Sequence, residues 1–272
     1  MNKTKIEWVK NPDGTQGYTW NPITGCLNHT PEGLCLGGLF PCYAYRLAHG
    51  RLKERYLSNH NVAPKYAQDV LFRTYEVPTN IGAIDPFYPR FWPERIEELN
   101  DRHQGIYYTK YYKPKGIFVC DMSDLFGIGI PEQWTRCVLS YIQSCPRYRF
   151  HLLTKQPQNL PPFSPFPENC WVGVTVCNDA MMTIALTNLA NVEAKVRFLS
   201  IEPHLGFITM KSHPIKGIID WIIDGSQTKP TVYPKIEWVE EIVRAADRAG
   251  IPVFQKDNLR PLLGNNLQQE LP

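Results

Sequence analysis

Six short apolar segments punctuate the chain from residue 116 onward: Gly116-Ile-Phe-Val-Cys120, Phe150-His-Leu-Leu-Thr154, Trp171-Val-Gly-Val-Thr-Val176, Val196-Arg-Phe-Leu-Ser-Ile201, Ile218-Ile-Asp-Trp-Ile-Ile223 and Ile251-Pro-Val-Phe-Gln255. They are rich in β-branched and aromatic residues and nearly continuous in hydrophobicity, which is the pattern of parallel strands buried on both faces. The stretches between them carry helix signals. Pro131 stands at the start of one, Asn178 or Asp179 can cap a second, and Gly250 ends a third. Strand and helix therefore alternate. With a further strand at Tyr18 to Asn21 and another at Phe87 to Phe91, the expected fold is α/β, a complete or partial (β/α)8 TIM-type barrel with parallel strands. An open doubly wound sheet is the alternative arrangement.

No repeat, low-complexity tract or flexible linker divides the 272 residues, so residues 1-272 are expected to form a single barrel domain. At 43% hydrophobic and 20% charged the chain can bury a large core. The amino-terminal segment MNKTKIEWVKNPDG lacks an apolar run behind its lysines, and no stretch has the length of a membrane span, so the expected location is cytoplasmic, with no membrane partner. A formal charge of +3 is too small to imply nucleic-acid binding unless it is clustered. One such cluster is present in Tyr107 to Lys115 (YYTKYYKPK), together with Arg46, Arg51, Lys53 and Arg55, which could bind phosphates and stack bases of DNA or RNA. The opposing reading is a solvated face with interfacial tyrosines.

Chemistry in such sheets gathers where strands end, and these strand ends are polar: Asp121, Ser123 and Asp124, then Thr154 and Lys155, Thr175, Ser200 and Glu202, Asp224, and Gln255 with Lys256. The most specific local feature lies earlier. In GCLNHTPEGLCLGGLFPCYAYRLA, Cys26, Cys35 and Cys42 share one Gly/Pro-rich loop ahead of a helix beginning near Tyr43. Three thiolates suit a [4Fe-4S] cluster with one iron open to a small molecule. With His29 the same cysteines could instead hold structural zinc. Cys120, Cys137, Cys145, Cys170 and Cys177 fall in strand or helix patterns, where packing is the default. His151 and His204, each beside an apolar strand, are read as hydrogen-bonded structure.

The segments KIEW, TWNPITGC, CYA, FVCDMSDLFG, FHLLTKQP, NCWVGVTV, RFLSIEPHLG, IDWIIDG and AGIPVFQK, in that order from Lys5 to Lys256, resemble a phage-associated bacterial and archaeal family of uncharacterised proteins. That family looks like a branch of the radical S-adenosylmethionine superfamily, similar in architecture to spore photoproduct lyase. The resemblance implies a barrel enzyme with a [4Fe-4S] cluster on Cys26, Cys35 and Cys42, and with S-adenosyl-L-methionine chelating the open iron. An external electron donor would then drive formation of a 5'-deoxyadenosyl radical that abstracts hydrogen from a substrate, nucleic-acid-related by analogy. Beside that resemblance, Tyr43, Asp121, Ser123, Asp124, Thr175, Ser200 and Glu202 are the candidate cofactor-binding residues; from its place at a strand end Lys155 is a further candidate, against an exposed loop lysine, and Cys177, which also follows a strand end, is a candidate hydrogen donor to a substrate radical, against a packed cysteine. The chain departs from the superfamily's C-x3-C-x2-C spacing: here the intervals are eight and six residues. A glycine-rich V-G-G-E-S-G stretch of the family is replaced by Ile223-Asp-Gly-Ser-Gln-Thr-Lys229. Two other functions fit the residues. One is a hydrolase or nuclease with Asp121, Asp124, Glu202 and Asp224 around Mg2+ or Mn2+ while the cysteines hold a structural zinc. The other is a non-catalytic metal-binding module.

Overall fold

The computed structural model describes residues 1–64, 81–99 and 113–272. Its framework is an eight-stranded sheet. In chain order the strands of the molecule are β1 (Asn2–Lys3), β2 (Tyr18–Trp20), β3 (Ile23–Thr24), β4 (Leu34–Cys35), β5 (Phe40–Pro41), β6 (Arg90–Phe91), β7 (Gly116–Val119), β8 (Arg149–Thr154), β9 (Cys170–Thr175), β10 (Val196–Ile201), β11 (Trp221–Asp224) and β12 (Val253–Gln255). The large sheet runs β1-β2-β7-β8-β9-β10-β11-β12, antiparallel only at β1 and parallel from β2 onward. Each parallel strand lies beside its predecessor, so the order has no reversal of the kind that defines a doubly wound sheet.

The helices are α1 (Tyr43–His49), α2 (Lys53–Leu57), α3 (Ile81–Ile84), α4 (Pro93–Ile96), α5 (Glu132–Gln143), α6 (Asp179–Leu189), α7 (Ile236–Ala249) and α8 (Arg260–Leu263). Their ends follow the sequence signals. Pro131 precedes α5, the Asn178 side chain accepts from the Met181 amide, and Gly250 closes α7 in the left-handed region at φ 70°. Val138 and Ile142 of α5, Met182 and Leu189 of α6, and Ile242 and Ala246 of α7 share one core with Ile117, Phe150, Val172, Leu199 and Ile222, one face of the strands.

The alternate strand positions face the other way and are aromatic: Phe118, Trp171, Phe198, Trp221 and Phe254 gather around Trp8. The Trp8 ring lies 5.3 Å from Phe118, 5.4 Å from His151, 5.9 Å from Phe198 and 6.0 Å from Trp221. These rings come from β7, β8, β10 and β11, and four strand spacings in a flat sheet would separate the outermost by roughly 19 Å. One indole can meet all of them only if the sheet curls strongly around it. Gly173 makes room on this face, because a Cβ there would sit 2.3 Å from the Phe198 ring.

The curl stops short of a closed barrel. Beyond β12, the 268–270 segment pairs antiparallel: the Gln255 amide donates to Gln268 and the Glu270 amide to Val253. At the opposite side β1 covers β2. Both edges that closure would join are thus already hydrogen-bonded, and the sheet is open. The strand expected near Phe87 to Phe91 also differs. Only Arg90–Phe91 is extended, and it pairs with β3 outside the large sheet. The segment from Ile218 enters the sheet only at Trp221, because Ile218 and Ile219 turn back onto Ile215 and Asp220 is held by the Arg197 backbone. Among the described residues no helix is long and apolar enough to cross a membrane.

Candidate metal and cofactor site

The loop that carries the three cysteines lies over the carboxyl ends of β7, β8 and β9. It starts at β3, where Gly25 bridges Ser123 in parallel and the Ser123 hydroxyl donates to the Gly25 carbonyl. It then forms the β4–β5 hairpin and ends on α1, whose N-cap is Cys42. Cys26, Cys35 and Cys42 are free thiols. Two of the loop sulfurs accept a backbone amide: Asn28 donates to Cys26 Sγ at 3.3 Å and Tyr45 to Cys42 Sγ at 3.5 Å. Amides pointing at sulfur favour thiolate and are one of the means by which proteins tune iron–sulfur centres.

Burial pushes the Cys26 thiol well above its ordinary range, and the Asp124 carboxylate and the thiols of Cys35 and Cys42 push in the same direction. Burial also raises Cys35, with Lys155 pulling the other way. The three sulfurs therefore repel one another as anions, and a bound cation would relieve that repulsion. Among the described residues, no three or more His, Cys, Asp or Glu side chains already surround a common point as a finished metal site. The donor set fits a thiolate-held metal centre in its chemistry: three free sulfurs in one loop, amide donors on Cys26 and Cys42, and the Lys155 stem packed against the same loop.

His29 belongs to the same loop. Its Nδ1 lies 2.8 Å from the Thr30 carbonyl, which makes that nitrogen the donor, and its buried Nε2 has no partner among the described residues. A ring anchored in this way leaves its second nitrogen free as a ligand.

The expected cofactor residues divide into those that hold the loop and those that face the mouth. Tyr43 donates its hydroxyl to the Asp121 carbonyl, and the Asp121 carboxylate accepts from Asn21 Nδ2 at 2.5 Å. Asn21 also accepts from the Met122 amide, so it ties β2 to the turn after β7. Burial raises the Asp121 carboxyl, and the Asn21 contact opposes the rise. Asp124 is fully engaged: it accepts from Thr154 Oγ1 and the Lys155 amide at 2.9 Å and from the Phe126 amide at 3.1 Å. It joins the ends of β7 and β8 and positions Lys155.

Thr175, Ser200 and Glu202 continue the alternation of the aromatic face toward the mouth. Thr175 Oγ1 is buried without a partner among the described residues. Glu202, just after β10, forms an ion pair with Lys256, just after β12. Cys177 is fully buried, its thiol pushed up to about 12 by burial, and it faces the cysteine loop, with Sγ 3.6 Å from the Gly37 carbonyl.

Asp224 does not join this set. Strand alternation turns it to the helix side with Ile222, where it meets His204 Nδ1 at 3.0 Å near Trp238 of α7. The four carboxylates Asp121, Asp124, Glu202 and Asp224 thus have four different engagements. His151 sits on the aromatic face between Trp8 and Trp171. Cys120 and Cys170 are core residues as expected, while Cys137 and Cys145 are half-buried.

Of the basic and aromatic stretch, residues 107–112 lie outside the described residues. Lys115 lies over the Tyr18 and Tyr148 rings and Lys113 pairs with Asp13. Arg46, Arg51, Lys53 and Arg55 are exposed on and around α1 and α2. Sequence reasoning missed Asn21 as the bracket of Asp121, although it stands inside the TWNPITGC segment. It also missed the pairing of Glu202 with Lys256, whose only signal was the polarity of both strand ends.

No curated protein and no solved structure matches the chain significantly. Residues 3–259 match the family model described as "Protein of unknown function (DUF5131)", and since that match takes in nearly every element above, the chain belongs to the DUF5131 family.

Proposed function

We propose that the protein is a radical enzyme that holds a [4Fe-4S] cluster on Cys26, Cys35 and Cys42 and binds S-adenosylmethionine at the carboxyl end of an open, partial (β/α) barrel. The observation that supports it is the set of three free sulfurs, two of them accepting a backbone amide, seated over the ends of parallel strands. When bound and reduced by an external one-electron donor, the cluster and its ligand would supply a 5'-deoxyadenosyl radical to take hydrogen from a substrate. The chain's own residues orient and enclose. Tyr43, Asp121 and Ser123 fix the loop; Glu202, held by Lys256, presents a carboxylate suited to an ammonium group; Ser200 and the unpartnered Thr175 hydroxyl suit a sugar. The aromatic layer around Trp8 closes the opposite side to water. For the substrate, the exposed Arg46, Arg51, Lys53 and Arg55 support a nucleic-acid-related molecule, to be tested by gel shift with DNA and RNA at low salt.

A second reading, structural zinc on the three cysteines and His29, is favoured by the anchored His29 ring with its bare Nε2. One experiment separates the two. Anaerobically reconstituted protein is assayed for iron, sulfide and zinc, and for 5'-deoxyadenosine after S-adenosylmethionine and dithionite. About four irons and four sulfides per chain, lost on triple alanine substitution of the cysteines, with 5'-deoxyadenosine formed, is the expected result. Stoichiometric zinc with no iron would overturn it.

A further inference from the structure

The eight- and six-residue cysteine intervals leave room for something a compact motif lacks, and Gly37 and Gly38 show what occupies it. A Cβ on Gly37 would lie 2.9 Å from Lys155 Cβ, and one on Gly38 would lie 2.8 Å from Cys177 Sγ. The backbone between Cys35 and Cys42 thus rests directly on two side chains, one from the end of β8 and one just after β9. Gly38 also needs φ 127°, a conformation that side chains resist. Two further contacts fasten the seat. Cys177 Sγ approaches the Gly37 carbonyl at 3.6 Å, and Lys155 Nζ lies 5.9 Å from the Phe40 ring centroid. The Lys155 stem is therefore pinned beneath the loop, with its backbone amide fixed by Asp124. The stem thus runs under Gly37, two residues after Cys35, and the ammonium comes to Phe40, two residues before Cys42, so the charge is held on the segment between two of the three cysteines.

The geometry points to Lys155 as the built-in counter-charge of the three-cysteine centre: a positioning residue, clamped by the Gly37–Gly38 seat, that makes the centre's hold on a metal depend on β8 as well as on the loop. A lysine clamped on three sides pays little entropy to keep its charge in place, whereas a free surface lysine would be hydrated and screened. The inference rests on the metal-binding part of the proposed function but not on the radical chemistry.

The test uses the full metal-free chain and Cd2+ alone as probe, followed by the sulfur-to-metal charge-transfer absorption. Lys155→Met keeps an unbranched stem under Gly37 and removes the charge; Lys155→Arg keeps the charge. The expected result is an apparent Kd for Cd2+ at least about tenfold weaker in Lys155→Met, with most of the loss restored in Lys155→Arg. Circular dichroism and thermal unfolding of the metal-free variants show whether they are folded. Gly38→Ala, which lifts the loop off Cys177 while leaving every ligand and the lysine in place, is expected to weaken binding and to speed proteolysis between Leu34 and Cys42. A folded Lys155→Met chain that binds Cd2+ as tightly as the parent overturns the inference, as does a loss that Lys155→Arg fails to restore. Failure of iron–sulfur reconstitution with an intact lysine effect on Cd2+ would count against the radical enzyme alone.

Discussion

His151 offers a sharp test of how the aromatic face is built. Its ring is wholly buried between Trp8 and Trp171, and neither nitrogen has a partner among the described residues. Burial, with a smaller push from Arg149, holds the imidazole at about 3 rather than its usual 6.5. The unfolded chain takes up a proton near pH 6.5 that the folded chain refuses until about pH 3, so stability falls as pH drops through that window. Between about pH 7 and pH 4.5 this one group removes roughly 2.5 kcal/mol, at 1.36 kcal/mol per pH unit below the unfolded value. Replacing it by phenylalanine, His151→Phe, abolishes that loss and leaves the edge-on contacts with both tryptophans available. Urea unfolding of the two proteins across the range reads the difference directly, since every other titrating group cancels. The variant should match or exceed the parent at pH 7, because two unpartnered nitrogens are removed, and outlast it increasingly in acid. Parallel stability curves would refute the reasoning, and a variant about 2 kcal/mol weaker at pH 7 would show that the imidazole is hydrogen-bonded after all.

Gly173→Ala should cost about 1–3 kcal/mol in thermal unfolding, because its Cβ collides with the Phe198 ring, and Phe198→Leu in the same chain should recover part of the loss. The Asp179 carboxylate accepts from the Thr209 amide at 2.7 Å and meets His213 at 3.1 Å, and these bonds hold its pKa below the usual carboxylate value. That contribution is complete above about pH 4 and disappears as pH falls through the lowered value. Asp179→Asn should therefore cost about 0.5 kcal/mol near neutrality and nothing measurable in strong acid, a pH dependence that denaturant midpoints would reveal.

The strands were legible because their apolar runs, though short, are nearly continuous, and the starts and stops of α5, α6 and α7 because Pro131, Asn178 and Gly250 act within one turn of the chain. Closure of the sheet was not legible. It turns on which segment reaches the edge of β12, and the 268–270 residues that do so carry no strand signal of their own. Phe87 to Phe91 has the aromatic content of a strand, but Pro89 interrupts it and only two residues extend. In the site, the cysteine loop stood out by composition, and its landing place did not. Lys155 and Cys177 follow different strands, and their contact with Gly37 and Gly38 is a long-range fact that local pattern cannot carry. Likewise Asp224 looked like its neighbours at the strand ends until alternation along β11 turned it to the other side.

The position of Trp8 bears on the order in which the chain can be completed as it leaves the ribosome. Each parallel strand from β7 onward pairs with the one just made, so the sheet can lengthen one unit at a time, behind the exit tunnel. Trp8 precedes every strand of the parallel run, yet its ring meets Trp221, and more than half of the given sequence lies between them. Trp8 can cover Phe118 and His151 once β7 and β8 are made, but the rings of β10 and β11 complete the layer only later, and aromatic surface left uncovered meanwhile is the kind that chaperones hold and neighbouring nascent chains stick to. Completion of the aromatic layer is therefore a late, long-range step, even though the segment that carries Trp8 is held locally by β2 and Gly17 from the start.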